Sequence, residues 1–266
     1  MYETSYHRPR DLAEAESLFN AAAEGRYLAG GMTLLPTMKQ RLAAPSDLVD
    51  LGRLAELKGI AVTADAVTIG AGVTHAEVAA SPEIRAALPA LAALAGQIGD
   101  PHVRHRGTIG GSLANDDPAA DYPAAVLALG ATIRTTRREL AAEDFFQGLF
   151  TTALEEGEII VAIRFPVAAR AAYAKFPNPA SRYAMAGVFV ARMPDGDIRV
   201  GVTGAGQDGV YRDAAFEAAL AADFSPAALD PLDVDPAGML ADLHGSAAYR
   251  ANLVKVMAKR AVAAAS

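Results

Sequence analysis

Apolar residues recur along this chain with two different spacings. In "DLAEAESLFNAAAE" (11–24) a three- and four-residue spacing puts Leu12, Ala15, Leu18 and Phe19 on one face, which predicts an amphipathic helix. "YLAGGMTLL" is a short apolar run broken at Gly30-Gly31. A second helical pattern follows it around Pro36, a residue tolerated in a first turn. "DLVDL" (47–51) reads as a strand, and "GIAVTADAVTIGAG" (59–72) as two strands about a turn at Asp65. Residues 83–97 and 121–129 read as helices, and "ATIRTT", "EIIVAIRFP", "YAMAGVFVARM" and "IRVGVTGAG" as strands. The alanine-rich stretch 246–264 reads as a closing helix whose Lys255, Lys259 and Arg260 suit the negative end of the helix dipole. No fixed-period repeat is visible. Strands and helices that follow one another without strict βαβ alternation predict an α+β fold. The prolines of "PVAARAAYAKFPNPAS" predict a boundary near 166–180.

Composition narrows the classes of function. A chain of 266 residues that is 52% hydrophobic can bury a substantial core divided among two or three subdomains. Its net charge of -7 argues against the basic face of a nucleic-acid binder. Cysteine is absent, which excludes disulfides, thiolate zinc sites, iron–sulfur ligation and cysteine nucleophiles within the chain. No apolar run reaches the ~20 residues of a membrane span, and "MYETSYHRPRD" has no signal-peptide core. A cytoplasmic location is the expectation.

Glycine-rich turns carry the remaining chemistry. "GAGQDG" (204–209) satisfies G-x-G-x-x-G but is followed by "LAADFSPAALDPLDVDP", without the second strand and acidic residue of a dinucleotide fold. It reads as a strand-to-helix turn. "GAGVTH" (70–75) has His75 where the third glycine belongs, and no P-loop is present. Two clusters remain, "AGGMTLL" (29–35) and "TIGGSL" (108–113), each pairing adjacent glycines with nearby hydroxyls. Singly, each reads as a tight turn. Together, about 75 residues apart, they suit an anion such as a diphosphate gripped from two sides by converging N–H groups. His7, His102, His105 and His244 lack metal-ligand spacing, and His75 suits a capping or turn role. Arg104 and Arg106 are expected to brace the second loop through carboxylates such as Asp116, and "RTTRRE" (134–139) is expected to be a solvated strand end.

"AGGMTLLPTMKQRLAAPSDLVDL" followed by "IGDPHVRHRGTIGGSLANDDPAAD" resembles the FAD-binding medium subunit of the molybdenum hydroxylases, and looks most like that of aerobic carbon monoxide dehydrogenases. The xanthine dehydrogenase flavin domain is a more distant relative. The resemblance implies a two-lobed FAD-binding region of the vanillyl-alcohol-oxidase/xanthine dehydrogenase type, with lobes 1–55 and 56–168, then a C-terminal α+β domain over 169–266. It implies that Ala29, Gly30, Gly31, Met32 and Thr33, with Thr108, Ile109, Gly110, Gly111 and Ser112, wrap the FAD diphosphate. Side chains at Gly110 or Gly111 would then occupy the space of the phosphate oxygens. Ile98 and Tyr183 fall at positions near the flavin ring, and Asn115 and Asp121 near the ribityl and ribose hydroxyls. The family loop usually reads A-G-G-H; Met32 departs from it and cannot donate a hydrogen bond.

The resemblance further implies non-covalent FAD and an electron-transfer role with no catalytic constellation of its own. An iron–sulfur small subunit and a molybdenum large subunit would hold the other cofactors, as a dimer of heterotrimers with a peripheral membrane contact for the acceptor. Three alternatives stand beside it. One is the FAD subunit of a purine, nicotine-type heterocycle or aldehyde dehydrogenase. A second is a self-contained flavin oxidase, disfavoured by the short remainder after residue 170 and the missing cysteine tether. A third is a cofactor-free adaptor, disfavoured by the intact glycines.

Overall fold

A computed structural model describes residues 1–265. Three sheets succeed one another along the chain. The first is built from β1 (Ser5–His7), α1 (Leu12–Ala21), β2 (Gly25–Leu28), α2 (Leu34–Lys39) and β3 (Asp47–Asp50). Its strands are parallel in the order β1-β3-β2, and central β3 buries Leu48 and Val49. Asp11 starts α1, its carboxylate accepting from the Glu14 N–H at 2.8 Å. The second sheet opens with β4 (Ile60–Val62) and β5 (Ala66–Gly70). Six helices follow: α3 (His75–Ala80), α4 (Pro82–Ala87), α5 (Pro89–Gly96), α6 (Pro101–Arg106), α7 (Ile109–Asn115) and α8 (Tyr122–Ala128). Then come β6 (Thr132–Thr135), β7 (Glu139–Ala141), α9 (Ala142–Phe145), the hairpin β8 (Phe146–Gly148) and β9 (Thr151–Thr152), and β10 (Ile160–Pro166). The antiparallel order β4-β5-β10-β6-β7 puts β10 in the middle, which is why "EIIVAIRFP" is almost wholly apolar.

The third sheet is antiparallel, β11 (Arg170–Pro177), β12 (Ala184–Arg192), β13 (Ile198–Thr203) and β14 (Tyr211–Arg212), with α10 (Ala214–Ala222) and α11 (Ala247–Ala264). Strand β12 is buried on both faces. Phe189 and Ala191 join the core that contains α8, while Ala186, Val188 and Val190 join the core that contains α11. Period-2 alternation sorts one strand between two cores. Close approach is made possible by Gly201 on β13, where an added Cβ would lie 2.2 Å from the Ala124 carbonyl oxygen of α8. Helix and sheet backbones therefore touch.

The α+β expectation holds, and three local readings are corrected. Residues 83–97 form two helices, because Pro89 forces Leu88 out of helical geometry (φ -146, ψ 66). The stretch 166–180 also carries β11, whose alternating Ala171 and Tyr173 pack on the core; Pro166 ends β10 and Pro177 ends β11. Residues 204–209 lead first into β14, with Gly204 and Gly209 at φ +81 and +96. Helix α11 runs on to Ala264, so Lys255, Lys259 and Arg260 lie before its last turn, and the two lysines bond instead to the Asp230 carbonyl and carboxylate.

Replacing Gly201 with valine is expected to lower the unfolding free energy by about 1–3 kcal/mol or more, because the side chain has only backbone to move. Gly238→Ala, where an added Cβ meets nothing within 4 Å, should leave it almost unchanged. Urea denaturation of the two variants measures the difference.

Candidate functional site

The two double-glycine segments meet in space. A Cβ on Gly30 would lie 2.1 Å from the Arg106 carbonyl oxygen and 2.7 Å from the Gly107 Cα, and one on Gly111 would lie 3.5 Å from the Ala29 Cβ. Gly30 is thus a glycine because another backbone lies against it. Gly110 has the same explanation, since its Cβ would meet the Ala71 Cβ at 2.5 Å and the Ala71 carbonyl oxygen at 2.8 Å. The expectation that a Gly110 side chain would displace phosphate is corrected: the space belongs to Ala71. Gly111 differs, because its nearest neighbours are the Thr108 hydroxyl at 2.9 Å and Ala29, with no backbone atom close.

The segments also differ in what they offer an anion. Among the described residues, nothing accepts from the N–H groups of Gly30, Gly31, Met32 or Thr33. Gly31, at φ +73, turns the chain so that successive N–H groups converge. In the second segment the donors from Ile109 onward are already used. Ile109 N–H bonds to the Val73 carbonyl at 3.1 Å, Gly110 N–H to the Ala71 carbonyl at 2.9 Å and Gly111 N–H to the Thr108 hydroxyl at 3.1 Å. Thr108 is the N-cap of α7, so "TIGGSL" is a capped helix start where two symmetrical gripping loops were expected. Free backbone donors in the first segment fit a diphosphate. The second segment offers hydroxyls and shape.

Both segments wall a cleft of about 820 Å³ that also reaches β10 of the second sheet and the turn between β11 and β12. Every residue singled out from the sequence lines it except Ile109. Ile109 is fully buried and its side chain belongs to the core. Met32 stands on the rim, 37% exposed. Ile98 lies between α5 and α6, its carbonyl and that of Gly99 each receiving the Arg104 guanidinium at 3.1 Å. The expected bracing of the second loop is not what Arg104 does: it holds the turn before α6 through these carbonyls, Arg106 lines the cleft, and no described residue bonds to the Asp116 side chain. Asn115 ends α7, and its side chain is unengaged within the chain. Tyr183 precedes β12 in a turn where Arg182 takes φ +63. Burial, then Asp117 and Asp121, raise its phenol above the ordinary value.

Asp121 is buried beside Lys175 and Tyr173. The Tyr173 hydroxyl donates to it at 2.5 Å and Lys175 lies 2.9 Å away. Desolvation pushes its carboxyl up while these two partners pull it back. Sequence reasoning did not place Lys175 here, since one lysine in an alanine-rich run carries no signal. His75 was assigned a capping or turn role, and "THAE" is a capping box in which Thr74 and Glu77 cap α3. His75 itself is buried, lines the cleft, and lies against the Tyr122 ring with Nδ1 unpartnered. Desolvation and Arg104 hold its pKa at about 4, so the ring is neutral near pH 7.

A parallel three-stranded lobe facing an antiparallel one, with unpaired N–H groups on the rim between them, defines a binder of a large phosphate-bearing cofactor. Residues 2–168 match the family described as the FAD binding domain in molybdopterin dehydrogenase, and the chain belongs to that family. It is similar over its whole length to a carbon monoxide dehydrogenase medium chain of Hydrogenophaga pseudoflava, at 36% identity covering 98% of this chain and 96% of that one. It is also similar to a nicotine 6-hydroxylase medium subunit of Paenarthrobacter nicotinovorans, at 33% identity covering 97% and 95%. Among solved structures, reconstituted CO dehydrogenase from Oligotropha carboxidovorans superposes with a TM-score of 0.89 at 35% identity, covering 98% of this chain and 96% of that one. Quinoline 2-oxidoreductase from Pseudomonas putida 86 superposes at 0.85 with 28% identity and the same coverage. The cofactor is FAD.

The glycines separate into two classes by experiment. Gly110→Val should fail to fold against Ala71. Gly111→Val should fold, losing about 1 kcal/mol through its disturbed Thr108 cap, and should lose FAD; a variant that purifies fully yellow would remove Gly111 from the site.

A second expectation concerns Asp116, whose carboxyl is raised to about 7 from 3.8 by burial and the nearby Asp117. The folded protein then keeps a proton that the unfolded chain has lost, so this group's contribution to stability is complete below its unfolded value and disappears as pH rises through about 7. Asp116→Asn apo-protein should therefore gain stability over wild type at pH 8 and converge with it near pH 4. Urea midpoints at the two pH values measure this.

Proposed function

We propose that this chain is the FAD-bearing electron-transfer subunit of a molybdenum hydroxylase complex of the carbon monoxide dehydrogenase type. The observation that carries the reading is the cleft itself: free N–H groups at residues 30–33 suit a diphosphate, in a chain that has no cysteine to hold a cluster. FAD supplies one- and two-electron chemistry, and the protein supplies grip, orientation and exclusion of water. In this reading, substrate is oxidised at molybdenum in a large partner. Iron–sulfur clusters of a small partner would supply the electrons, and FAD held by this chain would provide their exit to an outside acceptor. The segments 1–55 and 56–168 hold FAD between them, with 169–266 closing the back of the cleft. Ala29 to Thr33 meet the diphosphate, Thr108, Gly111 and Ser112 shape its far side, and Ile98 and Tyr183 flank the ring. Asn115 and Asp121 face the sugar and ribityl hydroxyls. The working assembly is a dimer of such heterotrimers in the cytoplasm, with a peripheral membrane contact for the acceptor.

Identity favours the carbon monoxide dehydrogenase medium chain over the nicotine 6-hydroxylase subunit by 36% to 33%, so the substrate assignment is tested on the complex. Purified chain should release FAD, and no FMN, on acid precipitation. Reduced with dithionite, it should pass electrons to artificial acceptors alone. Oxidation of carbon monoxide should require co-expressed partners. Turnover of carbon monoxide or of a heterocycle by the rigorously purified single chain would overturn the reading, and a native complex that oxidises only heterocycles would move it to that branch of the family.

A further inference from the structure

The matched FAD-binding family ends at residue 168, yet a strand beyond it sends a charge to the wall of the cleft. Lys175 lies on β11, and its side chain is 2% exposed. Lysine is almost never buried so completely unless its ammonium is fully engaged. Here Nζ donates to the Gln97 carbonyl at 3.1 Å and to the two Asp121 carboxylate oxygens at 2.9 and 3.0 Å. Gln97 ends α5 and precedes Ile98; Asp121 precedes α8. Ile98 and Asp121 both line the cleft. One ammonium on the third sheet therefore joins two separate pieces of the cofactor's surroundings.

The neighbours are arranged around the same point. Tyr173, two residues earlier and on the same strand face, donates to Asp121 at 2.5 Å. Gly187 on β12 makes room for that phenol, since an added Cβ would lie 2.3 Å from its oxygen. An ionised carboxylate offers about four acceptor positions. Tyr173 and Lys175, both on the third sheet, bond to the two oxygens of Asp121, a residue that lines the cleft. Without the ammonium, Asp121 would be a buried carboxylate lacking its counter-charge and would take up a proton. It would then present a donor where an acceptor had been. The Gln97 carbonyl would lose the one side-chain donor it has among the described residues, leaving Arg104 alone to hold the adjoining Ile98 and Gly99 carbonyls.

We infer that Lys175 is a positioning residue of the FAD site: from the C-terminal sheet it fixes the Gln97–Ile98 segment and the Asp121 carboxylate in the arrangement that the cofactor meets. The inference rests on the assignment of the cleft to FAD. It gives the chain beyond residue 168 a part in flavin binding that needs no direct contact between Lys175 and the cofactor.

The test uses the full chain stripped of flavin and titrated with FAD. Fluorescence quenching gives the dissociation constant, and visible circular dichroism at saturating FAD reports the asymmetry around the bound ring. Lys175→Met should raise the dissociation constant by about tenfold or more, the scale of one charge-assisted hydrogen bond, and should change the visible dichroism of the flavin that remains bound. Lys175→Arg, which keeps the charge and two donors, should restore both readings to near wild type. A Lys175→Met protein that binds FAD as wild type does, with unchanged dichroism, overturns the inference. If Lys175→Met does not fold, Lys175→Gln, which keeps a donor for Gln97 but no charge for Asp121, is judged by the same two outcomes. Wild-type chain that binds no FAD would remove the cofactor assignment itself, a result distinct from either.

Discussion

The contact on which the rest depends is one backbone pressed against another. Gly30 sits so close to the Arg106–Gly107 peptide that no side chain fits between them. Peptides rarely approach so closely outside hydrogen-bonded ladders, and this approach ties the parallel sheet to the helices of the antiparallel one. It also turns the N–H groups of residues 30–33 away from any internal partner. Unsatisfied donors are expensive to bury, so the fold leaves them on the wall of an open cleft. Binding capacity here is a by-product of how two lobes are joined.

Charge is distributed around that cleft with the same economy. Three carboxylates lie in one short stretch, and their surroundings separate them. Asp121 has the ammonium of Lys175 and the phenol of Tyr173. Asp117 accepts from the Ala119 N–H at 2.9 Å. Asp116, in a left-handed conformation at φ +42, has no side-chain partner. Only Asp121 combines burial with a counter-charge: burial raises its carboxyl, and Lys175 and Tyr173 oppose the rise. The neutral, buried His75, packed on the Tyr122 ring, adds polarity without charge. The environment offered to the cofactor is mostly apolar, with charge at fixed points.

The sequence made much of this legible, in proportion to how local each cause was. Long amphipathic runs such as 11–24 and 246–264, and the apolar strands β10, β12 and β13, followed from periodicity because burial acts on every second or every third to fourth residue. The paired motifs pointed to the cleft because two similar glycine clusters are rare in one chain. What was not legible came from distant partners. Nothing local says that Gly110 is a glycine on account of Ala71, that Ile109 points into the core, or that Lys175 reaches Asp121 from a strand 54 residues away. β11 was hidden for a related reason: alanines carry little periodic contrast, and the flanking prolines suggested a linker. The break at Leu88 was readable from Pro89 and was overridden by the helical pattern on either side.

The double burial of β12 bears on how such chains diversify. With Phe189 and Ala191 in one core and Val188 and Val190 in the other, and with Gly201 touching the backbone of α8, the C-terminal sheet is not an independent module. Recombination between related genes at a junction near residue 168 would transplant half of an interface and leave the other half unmatched. A drifting residue on α8 is constrained by the strand beneath it, and the two must change together. In this chain, a new C-terminal sheet could be accommodated only together with matching changes on α8.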